Sequence, residues 1–454
     1  MSLRFGTDGV RGVANLDLSP EAVLALGRAV ARVLVPERIL IGRDTRQSGS
    51  LLQAAFSAGI LAEGVEVTDL GVIPTPGVAY LSVARGVPGA VISASHNPFT
   101  DNGIKLFQRG GRKLEPELEQ RIERELDRLS QPGASAGTAP GRPPANGQPP
   151  ATGSLQRDHE AAAEYRAHLV GCLEGRQLDP LHVVVDCAHG AASAFAPPVL
   201  RELGARVDAI GDQPDGTNIN AGYGSTDLRA LRAAVVEHGA DLGLAFDGDA
   251  DRVLAVDHTG TDVDGDQLLG LLAFDLAGRD LLPGRAVVVT VMSNLGLRQA
   301  LSRKGLDVVE TPVGDRHVLD ALEREGLGLG GEQSGHIILR RLATTGDGLL
   351  TGLLVLDLLV RQGRSLAEAA GEVMTRFPQV LRSVPVADPS RLEGAGPVWA
   401  EVAEVRAALG EQGRVVVRRS GTEPVVRVMV EATTGSEAGS AVDRLCEAIV
   451  HHLG

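Results

Sequence analysis

Three carboxylates stand at alternate positions in Asp247-Gly248-Asp249-Ala250-Asp251-Arg252, and the apolar run 242–246 leads straight into them. Carboxylates so close repel one another unless a cation lies between them, and hard Mg²⁺ or Ca²⁺ prefers such oxygen ligands. An EF-hand loop is the obvious alternative, and it fails. Its sixth position needs Gly and holds Arg252, and its twelfth needs Glu and holds His258. A solvated acidic turn is the plainer alternative, but the apolar strand feeding this loop favours an inward site. Asp262, Asp264 and Asp266 repeat the spacing without such a run, so they read as a turn.

Three further polar, Gly-containing or Pro-containing loops also follow apolar runs. The first is Ser93-Ala94-Ser95-His96-Asn97-Pro98, after residues 87–92. Ser95 is either a phosphoryl acceptor or a turn hydroxyl capping its own backbone. Lys105 is near enough in sequence to return toward the same loop, or else is a solvated charge. The next is Gly330-Gly331-Glu332-Gln333-Ser334-Gly335-His336. Glu332 and Ser334 supply acceptors for sugar hydroxyls, and the glycines let backbone approach a ligand. His336 is an acid/base candidate or a structural histidine. The last is Arg418-Arg419-Ser420-Gly421-Thr422-Glu423-Pro424, with Arg427 beyond it. Amides around Gly421, the hydroxyls of Ser420 and Thr422, and the arginines make a phosphate nest, with a plain hairpin as the alternative. A nucleophile, a divalent cation, hydroxyl ligands and a phosphate clamp together suit phosphoryl transfer.

These loops need strands behind them, because open α/β sheets gather ligands at the carboxyl ends of strands. Ser19-Pro20-Glu21 opens a helix, and strand, helix, Gly and strand follow in turn up to residue 71. The same phrase recurs over 181–211 and 286–311. Past about residue 370 two β-rich runs, 414–418 and 425–432, flank the phosphate nest before a helical tail at 437–451. The sequence therefore predicts three tandem α/β domains with mixed, mostly parallel sheets and a smaller C-terminal α+β domain. Expected bounds are 1–155, 156–255, 256–370 and 371–454, with a Pro/Gly-rich linker at 131–153. One large doubly wound sheet is the alternative.

The chain has 454 residues and a net charge of −14, which repels nucleic acid and anionic membrane alike. Three scattered cysteines and no apolar leader or spanning segment predict a cytoplasmic protein.

With these motifs in this order, the sequence resembles the α-D-phosphohexomutase family over nearly its whole length. The resemblance implies that Ser95 carries a covalent phosphate. It also implies that Asp247, Asp249 and Asp251, with an oxygen on Ser95, hold one Mg²⁺ per chain. Glu332 and Ser334 match the sugar loop, and Arg418, Ser420, Gly421, Thr422 and Arg427 match the phosphate loop. Arg11 and Lys105 match basic residues flanking the phosphoserine. The implied reaction passes through a sugar 1,6-bisphosphate, with Lys105 or His336 handling the sugar proton. Phe5-Gly6-Thr7-Asp8-Gly9-Val10-Arg11-Gly12, Gln333, and Asn218-Ile219-Asn220 with Gly224-Ser225-Thr226 resemble the glucosamine-phosphate branch, which feeds amino-sugar and peptidoglycan precursors. Asp227, Tyr223 and Arg419 depart from the usual pattern. A glucose- or mannose-phosphate enzyme, a non-catalytic phosphosugar binder and a phosphatase are the alternatives. The expected partner is a small phosphosugar, with no nucleic acid or membrane, and the resemblance is compatible with a homodimer.

Overall fold

The computed structural model describes residues 3–6, 8–129, 152–420 and 424–454. Most of the expected linker, along with Gly421 and Thr422, lies outside these residues. Ser19 behaves as its position requires: its hydroxyl accepts from the Ala22 amide at 3.3 Å, and the helix Pro20–Leu34 buries Val23, Leu26 and Val30.

Among the described residues the strands form four separate sheets rather than one. The first runs Val10–Val13, Asp101–Phe107, Gly89–Ile92, Arg38–Arg43, Glu66–Val72, Leu155–Arg157. Both pairs made by Asp101–Phe107 are antiparallel, and the other three pairs are parallel. The second runs Asp262–Val263, Val253–Asp257, Leu242–Phe246, His182–Asp186, Arg206–Ile210, with its parallel half at the last two neighbours. The third is Asp307–Thr311, Ala286–Thr290, Leu329–Gly331, Ile337–Leu339. Helices cover these three sheets, giving three α/β units of mixed topology. The fourth unit is a smaller antiparallel sheet, Gln379–Pro385, Val425–Glu431, Arg414–Arg419, backed by helices Gly396–Leu409 and Gly435–Leu453.

Two local readings change. Gln379–Pro385 is a strand without a sequence signal, because Leu381 faces solvent and blurs the alternation. The expected turn at 262–266 is instead a short strand followed by a helix start. Asp264 accepts from the Gln267 amide at 3.1 Å, and the Gln267 side chain accepts from the Asp264 amide at 3.3 Å. That capping box satisfies two helix-end donors at once, which a simple turn does not.

One apolar core runs through the first three units, from Leu40 and Val91 through Tyr165, Phe195 and Phe246 to Ile337 and Met374. The fourth unit has its own core around Val398, Val428 and Leu445. Polar bonds join it to the third. Buried Glu431 accepts from the Leu295 amide at 3.2 Å, and Arg414, itself bonded to Glu431 at 2.8 Å, donates to the Ser293 carbonyl at 2.7 Å.

Candidate active site

Ser95 leaves the buried strand Gly89–Ile92 with φ at +54°, a left-handed conformation that costs a non-glycine residue about 1–3 kcal/mol. A buried frame holds it there. Ser93 Oγ accepts from the Ser95 amide at 2.9 Å and donates to Asp44 at 2.7 Å, and Asp44 takes Arg46 Nε at 2.9 Å. Arg46 then donates to the carbonyls of Ser95 (2.9 Å), Asn97 (2.8 Å), Asp101 (3.0 Å) and Pro98. Asn220 adds a second brace from the next unit, its amide donating to the Ser95 and Asn97 carbonyls at 2.9 and 3.0 Å.

So fixed, Ser95 Oγ donates to Asp247 Oδ2 at 2.5 Å and lies 3.2 Å from His96 Nδ1. Burial first, then Arg252 and Arg11, depress the His96 imidazole to about 4, so it is neutral at pH 7. Asp247, Asp249 and Asp251 leave the buried strand Leu242–Phe246 together, with ligand oxygens within 4.8 Å of one another. Burial, then Asp251 and Asp249, push the Asp247 carboxyl well above the usual range. Burial also acts to raise Asp251, but Lys105 above all, with His336 and Arg252, holds it well below.

The donor set fits a hard divalent cation. Asp249 Oδ1 and Asp251 Oδ1 are buried and meet no hydrogen-bond partner among the described residues, while Oδ2 of each is engaged. A buried carboxylate oxygen left unmatched is costly, and a divalent cation with oxygen ligands satisfies several at once.

Lys105 is 1% exposed and sits among carboxylates, 2.8 Å from Asp249, 3.2 Å from Asp8 and 3.4 Å from Asp251. Burial works to lower its pKa, but Asp249, Asp8 and Asp251 outweigh it and keep the ammonium charged. Asp8 also pairs with Arg11 and Lys113, and Lys113 pairs with Asp315 of the third unit. Arg11 reaches the serine loop at Asn97 Oδ1, 3.5 Å away. His336 is buried between Asp251 and Asp315, at 3.7 and 3.8 Å. The Gly346 amide donates to His336 Nε2 at 3.0 Å, so Nδ1 faces Asp251.

The remaining expected residues fall on the third and fourth units. Glu332 accepts from the Gly314 amide at 3.0 Å, and Ser334 Oγ is buried without a partner among the described residues. Gln333 donates to Asp264 at 3.3 Å, which ties the loop 330–336 to a helix cap. Arg418 and Arg427 stand opposite each other on paired strands, and burial, then Arg427, lowers the Arg418 pKa. Like charges set cross-strand repel, and an anion between them would relieve that repulsion.

Sequence reasoning passed over Asp44, Arg46, Thr75, Lys113 and Asp315. Asp44 and Arg46 carried a usable signal, since the charged loop 42–49 also follows an apolar strand. Asn220 of the Asn218-Ile219-Asn220 phrase braces the serine loop, and Gly224 donates at 2.7 Å to Asp186, on the strand paired with Leu242–Phe246. Of the departures, Tyr223 packs edge-on to His189 at 4.9 Å and Asp227 pairs with Arg229 at 2.5 Å.

Comparison with known proteins agrees with this arrangement unit by unit. Residues 2–132, 163–260 and 264–377 match phosphoglucomutase/phosphomannomutase alpha/beta/alpha domains I, II and III, and residues 381–448 match the C-terminal domain. The chain belongs to the α-D-phosphohexomutase family. Within it, the chain is similar to the phosphoglucosamine mutases. That of Thermobifida fusca is 52% identical over 462 residues, covering 100% of this chain and 99% of the relative. That of Streptomyces coelicolor is 49% identical over 463 residues, covering 100% of both. Among solved structures, a phosphoglucomutase/phosphomannomutase family protein from Burkholderia thailandensis has a TM-score of 0.80 at 24% identity, covering 100% of this chain and 98% of that one. Aspergillus fumigatus N-acetylphosphoglucosamine mutase, solved with GlcNAc-6P and magnesium, has a TM-score of 0.69 at 18% identity, covering 100% and 96%.

Proposed function

We propose that the protein interconverts glucosamine 6-phosphate and glucosamine 1-phosphate by passing a phosphoryl group through Ser95. The observation that carries this reading is Ser95 Oγ set against Asp247 at 2.5 Å, inside a cluster of three buried aspartates. The Thermobifida fusca and Streptomyces coelicolor relatives, phosphoglucosamine mutases at about half identity over the whole chain, supply the sugar.

In the first half, the phosphorus–Oγ bond of phosphorylated Ser95 breaks as a bond forms to O1 of glucosamine 6-phosphate, giving a 1,6-bisphosphate. The intermediate turns over in the site. Its 6-phosphoryl group then returns to Ser95, leaving glucosamine 1-phosphate. Over the first half sugar O1 loses a proton and Ser95 Oγ gains one, over the second Oγ loses it and O6 gains it, and between the halves Asp247 Oδ2 accepts the Oγ–H bond at 2.5 Å. Of the two candidates for carrying the sugar proton, His336 is the one proposed, because Lys105 is held as an ammonium and has no lone pair to accept it. Held charged, Lys105 neutralises the transferring group with Arg11. Asp247, Asp249 and Asp251 would hold one Mg²⁺, which supplies charge neutralisation at the transferring phosphoryl group.

Glu332 and Ser334 would bind sugar hydroxyls. Arg418, Ser420, Gly421, Thr422 and Arg427 would hold the phosphate that is not reacting. Turning the intermediate over needs a clamp that lets go and takes hold again. A fourth unit with its own core, joined to the third by polar bonds, suits that motion. The reading places the protein in the cytoplasm, upstream of amino-sugar and peptidoglycan precursors. No described helix is long and apolar enough to cross a membrane.

The test is a mutase assay with Mg²⁺ on glucosamine, glucose and mannose 6-phosphates side by side. The highest kcat/KM is expected for glucosamine. A higher value for glucose or mannose overturns the sugar assignment, and release of inorganic phosphate without an isomer overturns the reaction.

A further inference from the structure

Asp249 has one oxygen engaged and one free, and a residue from another unit decides which. Thr75 Oγ1 donates to Asp249 Oδ2 at 2.6 Å, and the Thr75 amide donates to the Asp249 carbonyl at 2.9 Å. Lys105 Nζ takes the same Oδ2 at 2.8 Å, while Oδ1 is buried and unpartnered among the described residues. Thr75 and Asp249 are 1% and 0% exposed, so solvent does not compete for either bond.

A carboxylate held only at one oxygen still shifts with its own main chain. Thr75 holds the Asp249 carbonyl and Oδ2 together, so main chain and carboxylate are fixed relative to each other and Oδ1 keeps one direction. Thr75 is well made for this. It is the first residue of the helix Thr75–Arg85, lies between Pro74 and Pro76, and is β-branched, so its backbone and χ1 are both restricted. Residues that orient metal ligands in this way typically change metal affinity 10–100-fold when removed.

We infer that Thr75 is a positioning residue that presents Asp249 Oδ1 to the divalent cation, an inference that rests on the proposed metal role of the aspartates. It couples the first unit to the metal loop of the second across 174 residues of sequence. Lys105, which shares Oδ2, cannot replace it, because its ammonium is divided among Asp8, Asp249 and Asp251 and the bond to the Asp249 carbonyl comes from Thr75.

The experiment measures Mg²⁺ affinity calorimetrically on the full chain, with the melting temperature in EDTA alongside. Thr75→Val keeps the shape and removes the hydroxyl, and its Mg²⁺ Kd is expected to rise about 10–100-fold. Thr75→Ser keeps the donor and is expected to bind as the parent does. A Thr75→Val protein with the parent's Mg²⁺ affinity and a lowered melting temperature in EDTA overturns the inference, since Thr75 would then only tie the units together. If Thr75→Val does not fold, Thr75→Cys, with its weaker donor, carries the comparison with Thr75→Ser, and equal affinities overturn the inference. Asp249→Asn separates this from the underlying reading. If the parent binds no Mg²⁺, or Asp249→Asn binds it equally, the metal assignment itself fails.

Discussion

Ser95 Oγ and Asp247 Oδ2 meet at 2.5 Å, although 152 residues separate them in sequence. The contact joins a loop of the first sheet to a loop of the second, so neither unit has the site alone. It also depends on strain: Ser95 keeps φ at +54° only because Ser93, Arg46 and Asn220 hold the backbone on three sides.

Replacing Ser95 tests its proposed role directly. Ser95→Ala is expected to lower turnover by about 10⁴-fold or more while glucosamine 6-phosphate still binds. Steady-state assay and calorimetry check the two halves. Substantial turnover in the variant would remove Ser95 from the mechanism.

Asn220 separates bracing from sugar recognition. Asn220→Ala loses two bonds to the serine loop, at roughly 1 kcal/mol each, so melting temperature and kcat should both fall. The ratio of kcat/KM between glucosamine and glucose 6-phosphates should stay constant. A shifted ratio would mean that this phrase reads the sugar after all.

The aspartate cluster should respond to metal as a site and not as a surface. Mg²⁺ at about 100 times its Kd is expected to stabilise the fold by about 2.7 kcal/mol. EDTA should abolish turnover, and Mg²⁺ should restore it. Asp251→Asn should lose most of the thermal shift on adding Mg²⁺. An undiminished shift would place the ion elsewhere.

Asp266 gives a pH dependence whose sign is fixed. Burial first, then Asp264 and Glu431, push its carboxyl up to about 7. The fold therefore keeps a proton that the unfolded chain releases near pH 4, and the stability it contributes in acid is lost as pH rises through 7. Asp266→Asn can still accept the Asn294 amide bond, now 2.7 Å long, without the buried charge. Its stability relative to the parent should grow by about 2–3 kcal/mol between pH 5 and pH 8. Denaturation curves at the two pH values check this, and an advantage that shrinks with pH would contradict it.

Much of the architecture is legible because helix and strand signals are local. Ser19 caps its helix, and Leu242–Phe246 is an apolar strand feeding an acidic loop. The signal fails where a neighbour decides the outcome. Asp264 reads as a turn residue until Gln267 completes its capping box, and the exposed Leu381 hides a strand that pairs only across the fourth sheet. Asp44 and Arg46 look like loop charges because their partners, Ser93 and the carbonyls of Ser95 and Asn97, lie about fifty residues on.

The sequence alone determined which chemistry is available. Residue type and short spacing already place a serine, three carboxylates, a Gly-rich loop with Glu332 and Ser334, and paired arginines each after an apolar run. Only the tertiary structure decided which atoms do that chemistry. It set Ser95 against Asp247, surrounded Lys105 with carboxylates, and left one oxygen of Asp249 free by engaging the other with Thr75. Those choices depend on contacts between units more than a hundred residues apart, which exist only once the shared core has brought the sheets together.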